Sequence, residues 1–271
     1  MGGNVLTLQE LLNLKTSLFR DSKVKLVRHK DSRAEYRELI KNKHGLLEYQ
    51  REQAKDVFRG CDYIISFVGT ERRRSIFFGV FRVEGVIQRE GKFYYDLTHL
   101  PEFAEWEDRL VIDWGGSALA WHQWYKQPKD IVEILPRGYL GNFPGLLDFV
   151  LDYEELQKLV ANPEANADWK HHLSAVNGIY LILDTLTGQQ YIGSAYGEQG
   201  IWQRWAEYAR TGTGGNRELI RLLETDPHYA RHFRFSLLQS LPSNRPQREV
   251  IPVENLYKQK LGSRVHGLNG N

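Results

Sequence analysis

Two tyrosines, an arginine and a glutamate stand in this chain where their side chains could share one chemical task. The first tyrosine closes the tripeptide Gly178-Ile179-Tyr180 and the second opens Tyr191-Ile192-Gly193. Between them, Leu181-Ile182-Leu183 continues a β-branched and aromatic run, Asp184-Thr185-Leu186-Thr187-Gly188 is turn chemistry, and Gln189-Gln190 leads back into an extended pattern. The segment reads as an antiparallel hairpin that can hold Tyr180 and Tyr191 near each other on one face, while Gly178 and Gly193 let backbone approach that face. Downstream, residues 200–210 have helical spacing and set Arg204 and Tyr208 four positions apart on one helix face. Residues 253–261 form a second helix-like run, opening after Pro252 and closing at Gly262, with Glu254 in its first turn.

These residue types suit the hydrolysis of a phosphodiester, which needs an activated water, neutralised phosphoryl oxygens and help for the leaving alkoxide. A free tyrosine ionises near pH 10, so Tyr180 is a base at neutral pH only if nearby cations depress that value or the proton moves in concert with attack. Arg204 and a bound cation can supply such a field. A single carboxylate such as Glu254 is a poor all-protein cage but a sufficient anchor for Mg²⁺ (or Mn²⁺), which keeps several waters and takes other oxygens from substrate phosphate. A one-metal site is expected.

The two tripeptides, with the arginine, glutamate and asparagine downstream of them, resemble the GIY-YIG nuclease superfamily, which includes homing endonucleases, some restriction enzymes and the incision subunit of bacterial nucleotide-excision repair. The resemblance covers residues 176–271, about a third of the chain. Two fixed tripeptides with a loosely fixed gap arise by chance roughly once in ten thousand chains of this length, so the motif is specific. By resemblance, Tyr180 and Tyr191 match the two motif tyrosines, Arg204 the arginine of the next helix, Glu254 the metal-binding glutamate, and Asn269 in Gly267-Leu268-Asn269 the late asparagine. The homing enzymes carry a histidine four residues after the arginine; this chain has Tyr208, as the repair subunit does, and Tyr208 is read equally as a catalytic group or as a tyrosine packing on the hairpin. The resemblance implies a small antiparallel sheet flanked by helices. It also implies a mechanism in which Tyr180 takes a proton from water, Arg204 stabilises the phosphoryl charge, metal on Glu254 stabilises the leaving oxygen, Tyr191 orients nucleophile or phosphate, and Asn269 holds the site together.

A module of this size leaves most of the 271 residues for something else, so an α+β chain of two domains is expected: residues 1–145, an acidic helical linker 146–175, and the nuclease domain 176–271. Charge varies along that division. Residues 1–60 carry 13 basic and 8 acidic groups, residues 146–175 carry 2 and 6, and residues 176–271 carry 11 and 8. Positive charge thus lies at both ends of a chain whose net charge is only +2, compatible with two phosphate-facing surfaces around an acidic spacer. No apolar run is long enough to span a membrane and no signal-peptide block opens the chain, so a cytoplasmic protein is expected. The lone Cys61 excludes an internal disulfide and reads as a buried structural thiol.

The N-terminal region opens with a capping box, Thr7-Leu8-Gln9-Glu10, ahead of an amphipathic helix. A basic strand or loop at 23–30 comes next, then a helical, polar stretch from Ser32 to about Phe58. Four strands are then expected, at 61–69, 76–85, 93–97 and 109–114. This β-rich module is loosely similar to PUA- or EVE-like barrels, which recognise nucleic acids. Trp121 and Trp124 either stack on a base or close the barrel end, and Arg72-Arg73-Arg74 either touch phosphates or form a solvated hairpin tip.

In the acidic segment, Asp152 with Glu155 makes a helix start; the adjacent His171 and His172 point apart on a helix and are not a metal site. The loop Thr211-Gly212-Thr213-Gly214-Gly215-Asn216 lacks the ending of a Walker loop and reads as a connector with Asn216 as N-cap, brushing DNA. The leading expectation is a metal-dependent DNA endonuclease whose residues 1–145 choose the target, in the manner of a restriction or modification-sensing defence enzyme. The alternatives are a nucleic-acid-binding regulatory protein with an inactive nuclease fold, and an RNA-directed or repair nickase. One active site cuts one strand at a time, so double-strand cleavage calls for a homodimer or successive nicks.

Overall fold

Near-continuous apolar runs such as Tyr63-Ile64-Ile65-Ser66-Phe67-Val68 give the N-terminal strands two buried faces, and the chain has enough sequence on either side to cover both. In the computed structural model, which describes residues 5–30, 43–116 and 120–270, the chain divides into two compact units, Met1–Pro136 and Arg137–Asn271. In the first, α1 (Leu8–Lys15) begins at the Thr7 capping box, with the Thr7 side chain and Glu10 bonding each other's backbone N–H. The basic segment after it is a strand, β1 (Val24–His29), paired parallel with β3 (Tyr63–Gly69). Helix α2 (Lys43–Arg51) and the short β2 (Glu52–Gln53) account for the stretch expected to be helical as far as Phe58. The helix therefore stops earlier than its polarity suggests; the first part of that stretch, residues 31–42, lies outside the described residues.

The central strand β4 (Arg74–Arg89) is much longer than expected. Gly85, which reads as a strand end, sits at a register shift where β4 pairs with β5 (Lys92–His99), so the chain bulges and continues. Strand β6 (Leu110–Asp113) pairs with the start of β4 and with β8 (Ile131–Ile134), and β7 (His122–Trp124) pairs with β1. The result is a curled sheet of order β2-β5-β4-β3-β1-β7 with β6 and β8 branching from β4. One face packs Leu26, Ile65, Phe67, Phe77 and Trp114 under α1, and the other packs Val27, Ile64, Phe81, Phe58 and Leu46 of α2. Cys61 is buried. Between β1 and α2, His29 bonds the Gln50 side chain at 2.8 Å, and burial drives the His29 pKa down to about 4 against the opposing pull of that bond.

The second unit holds a four-stranded antiparallel sheet, in which the strand Gln190–Ala195 pairs with Val176–Asp184, that with Phe233–Pro242, and that in turn with Leu151–Asp152. Its strands are β9 (Leu151–Asp152), β10 (Val176–Asp184), β11 (Gln190–Ala195) and β12 (Phe233–Pro242). One face carries Tyr180, Ile182, Phe233 and Phe235 and is covered by α3 (Tyr153–Ala161), α4 (Ala167–Ser174), α5 (Gly200–Thr211) and α6 (Arg217–Thr225). The other carries Ile179, Ile192 and Leu241 and receives Val250 of α7 (Gln247–Leu261).

The acidic segment 146–175 is not a spacer in this arrangement. Leu156, Leu159, Trp169 and Leu173 are buried in the main core of the second unit, and Leu140, Phe143, Leu146 and Phe149 pack on it. Asn166 accepts from the Leu140 N–H and donates to the Gly138 carbonyl, tying the chain back to residue 138. The acids occupy the outer faces of two amphipathic helices, so net charge describes their solvent side and is silent about the side that packs.

Candidate active site

The hairpin that carries the two tripeptides is β10 and β11, paired in the register Tyr180↔Gly193 and Ile182↔Tyr191. Tyr180 and Tyr191 are thus diagonal neighbours on one face, with ring centroids 6.4 Å apart. Gly193 explains itself through Tyr180: a Cβ there would lie 2.4 Å from the Tyr180 ring carbon and hydroxyl, so the phenol lies flat across the space a side chain would fill. Gly193→Val is therefore expected to expel Tyr180 and destabilise the unit by about 3 kcal/mol, read as a lowered thermal midpoint; an unchanged midpoint would mean the ring is not held there.

Helix α5 brings the guanidinium. Arg204 donates from Nε to the Tyr180 hydroxyl at 3.1 Å and from a terminal nitrogen to the Tyr208 hydroxyl at 3.2 Å. The two phenol oxygens lie 3.1 Å apart, and both tyrosines are fully buried. Tyr208 is held from behind by the Gly-rich loop. At Gly214, whose φ is +51°, a Cβ would come within 2.6 Å of the Tyr208 ring. The loop therefore packs on the site from inside, and Asn216, expected near DNA, spends its side chain accepting the Leu219 N–H as the N-cap of α6.

A count of hydrogens defines what this cluster can do. Both phenol oxygens accept from Arg204, and one phenol donates to the other. The remaining phenolic proton has no acceptor among the described residues. Arg204 has five N–H groups; one goes to each tyrosine and a third to Glu207, an ion pair at the rim of the helix. Two N–H groups are left to meet oxyanion oxygens. Beside them the Tyr191 hydroxyl, on a half-buried side chain, makes no hydrogen bond among the described residues.

Burial pushes the Tyr180 pKa well above the usual phenol value; Tyr191 adds to the rise and Arg204 opposes it. Tyr208 is shifted up in the same sense, again chiefly by burial. For Arg204 burial works against the charge, but the two tyrosine oxygens more than offset it and its pKa is raised. Of the two routes open to Tyr180, Arg204 alone does not supply the depressed pKa, and proton transfer in concert with attack needs no phenolate.

Glu254 lies on α7, across the edge strand from these phenols. One carboxylate oxygen accepts from the Ser194 hydroxyl and the other pairs with the ammonium of Lys258. Gly193 and Ser194 are consecutive in β11, so Tyr180 and Glu254 contact adjacent residues of one edge strand from its two faces. Asn269 closes the outer side of that strand: it accepts from the Ile192 N–H and donates to the Ile192 carbonyl, both at 2.8 Å. Leu268 adds a bond from its N–H to the Gln190 carbonyl. The C-terminal segment thereby acts as one more strand on an edge that would otherwise be open. Ser194, Glu207 and Lys258 are the members of the site that sequence reading misses; of these, Glu207 three residues after Arg204 and Lys258 four after Glu254 leave a helical-spacing signal, and Ser194 leaves none.

No group of three or more histidines, cysteines, aspartates or glutamates gathers among the described residues. A hard cation that keeps most of its waters needs only one carboxylate from the protein, and Glu254 fits that role on the condition that Lys258 gives way. The residues singled out in the first unit take other positions. Arg73 is paired with Asp113 at 2.8 Å and Arg74 with Glu133, while the Arg72 carbonyl accepts from Arg28. Trp114 is buried, whereas Trp121 and Trp124 are 37% and 50% exposed, with the Lys25 ammonium 4.9 Å from the Trp124 ring centre. No described helix is long and apolar enough to cross a membrane.

No family model matches the chain. A stretch of 93 residues, 34% of this chain, is 28% identical to the intron-associated endonuclease 1 of Enterobacteria phage T4. The match spans only 36% of that protein's length. Two solved structures are also similar, both of the catalytic domain of the homing endonuclease I-TevI and one of them a mutant. They are 27% and 26% identical, cover 35% of this chain and 98% and 92% of theirs, and give a TM-score of 0.28 in each case. The homology to an intron endonuclease is weak in identity, and it agrees with the resemblance carried by the two tripeptides.

Proposed function

We propose that the second unit of this chain is a GIY-YIG nuclease domain that hydrolyses phosphodiester bonds in DNA with a divalent cation at Glu254, and that the first unit selects the target. The observation that carries the reading is the buried hydrogen-bonded cluster of Tyr180, Tyr208 and Arg204, with two guanidinium N–H groups and one phenolic proton left over beside Tyr191. Such a set is complementary to an anionic, tetrahedral or trigonal phosphorus centre more than to any neutral substrate.

Arg204 receives the phosphoryl oxygens, and its other hydrogen bonds fix the guanidinium plane before substrate arrives, so little reorganisation accompanies the reaction. Tyr191, on the open side, orients the attacking water or a phosphate oxygen. Burial holds Tyr180 protonated rather than as a phenolate, so it takes a proton from the attacking water only as its own phenolic proton passes to a phosphoryl oxygen of the substrate, while the Tyr208 hydroxyl donates to it. Glu254 would hold the divalent cation, which would supply charge neutralisation at the leaving oxygen. Asn269 keeps the strand that carries Tyr191 in register. Tyr180→Phe removes only a hydroxyl and is expected to lower the single-turnover rate about a hundredfold with KM nearly unchanged; unchanged turnover would remove Tyr180 from the proton path.

Target choice by the first unit, as in a restriction or modification-sensing enzyme, is supported by the exposed Trp121 and Trp124 and the cation over Trp124, which together form a surface on which a base can stack. The substrate class is tested by offering matched duplex, base-modified, single-stranded and RNA substrates with Mg²⁺. Cutting of duplex DNA is expected. Cutting confined to RNA would move the substrate assignment, and cutting of none would favour a binding protein. A rate per chain that climbs with protein concentration would show that a homodimer makes double-strand breaks.

A further inference from the structure

We propose that Lys258 is an internal stand-in for the divalent cation, holding the Glu254 carboxylate until a phosphodiester and the cation arrive together, an inference that rests on the nuclease reading above. A Glu–Lys pair one helical turn apart is common on exposed helices, where it contributes little. This one is different in its surroundings. The two side chains are only 12% and 16% exposed, and the second carboxylate oxygen is already taken by Ser194. Each oxygen of the carboxylate proposed to anchor the metal therefore already has a partner within the protein, one of them a full positive charge.

Two other cations, one near the end of α7 and one just beyond it, are placed elsewhere. The Lys260 ammonium lies 5.5 Å from the Tyr257 ring centre, and Arg264 donates to the Asn255 side chain. Lys258 alone among them turns to Glu254. An ammonium and a divalent cation cannot share one carboxylate without strong repulsion, because like charges a few ångströms apart in a poorly solvated site are costly. The geometry has two consequences. The protein without substrate binds cation weakly, since the cation must first displace Lys258. Once displaced, the ammonium on its flexible four-carbon stem stays within reach of the same site and pairs with the phosphate that enters with the cation. Cation and phosphodiester then bind with positive coupling, and a nuclease active site stays unloaded until its substrate is present.

The test uses Mn²⁺ alone as the probe, with free Mn²⁺ followed by electron paramagnetic resonance in the full chain. Lys258→Met keeps the apolar stem and removes the charge, and is expected to bind Mn²⁺ about tenfold more tightly than wild type. Lys258→Arg, which keeps the charge, is expected to remain weak, and adding Glu254→Gln to Lys258→Met is expected to cancel the gain. Thermal melting of each variant checks that it is folded. Equal Mn²⁺ affinity in wild type and Lys258→Met would overturn the assignment and leave Lys258 as a helix ion pair. A gain that survives Glu254→Gln would also overturn it, because the ion would then be bound elsewhere. Failure of the nuclease reading is separable: it appears as absence of cutting on every substrate, whatever the Mn²⁺ affinities are.

Discussion

Arg204→Ala is expected to slow phosphodiester cleavage by about a thousandfold while leaving substrate affinity within about threefold of wild type. The asymmetry comes from where the guanidinium is and what already holds it. Three of its N–H groups are committed to Tyr180, Tyr208 and Glu207. It therefore presents its remaining donors in a fixed direction, toward charge that grows as the P–O bond is made and broken. Ground-state affinity for DNA is distributed over many phosphate contacts, so losing one cation costs little there. A second effect adds to the loss of rate: without Arg204 the two buried phenols keep each other as partners but lose the donor that sets their direction. Single-turnover cleavage and equilibrium binding, measured on the same duplex, separate the two contributions. A fall in affinity that accounts for the whole fall in rate would recast Arg204 as an ordinary phosphate contact.

Glu254→Ala is expected to be at least as damaging, lowering Mg²⁺-dependent cleavage by about a thousandfold or more and leaving DNA binding nearly intact. Among the described residues Glu254 is the carboxylate bonded at this point of the edge strand, and no acidic cluster gathers that could take over a cation. The variant leaves the Lys258 ammonium in a pocket where its partner has gone, so a loss of about 1–3 kcal/mol of stability accompanies the loss of rate. Glu254→Gln, which keeps one acceptor oxygen for Lys258 and turns an amide NH₂ toward the Ser194 hydroxyl oxygen, is the control for that part. Cleavage that persists in both variants at added Mg²⁺ would remove Glu254 as the metal anchor.

Whether a feature of this protein is legible in its sequence depends on whether it is local. The hairpin is legible because β-branched alternation and the Asp184–Gly188 turn are consecutive, and the face shared by Arg204 and Tyr208 is legible because helical period is local too. The caps at Thr7, Asp152 and Asn216 are written in two or three residues each, and all three form. What joins distant segments is not legible. The bond between Tyr180 and Tyr208 crosses 28 positions and that between Ser194 and Glu254 crosses 60, and no periodicity encodes either. Residues 146–175 mislead for a different reason: counting charge over a window averages the two faces of a helix, and here Leu156, Leu159 and Trp169 belong to the core while the acids face out. Gly85 misleads in the opposite way, since a glycine that ends one strand and a glycine that lets a long strand bulge have the same letter.

The role of Tyr180 is where structure changes the chemistry. A tyrosine in a cationic setting invites the idea of a phenolate base, and the arginine is indeed at hydrogen-bonding distance. Burial outweighs it, because desolvation penalises the phenolate more than one guanidinium, itself partly engaged by Glu207, can compensate. Transfer in concert, with Tyr180 accepting from water as it gives its own proton to a substrate oxygen, needs no phenolate, and Tyr208, whichever way its role is read, belongs to the same hydrogen-bonded unit.

The most direct measurement of the central claim is nicking of supercoiled plasmid DNA in Mg²⁺ by the wild-type chain beside Arg204→Ala and Glu254→Ala proteins prepared identically. The expected result is relaxation and linearisation by wild type and intact plasmid with both variants, whose folding is checked by their melting curves. Equal cutting by all three proteins, or none by wild type on any nucleic acid offered, would contradict the assignment of this cluster as a nuclease active site.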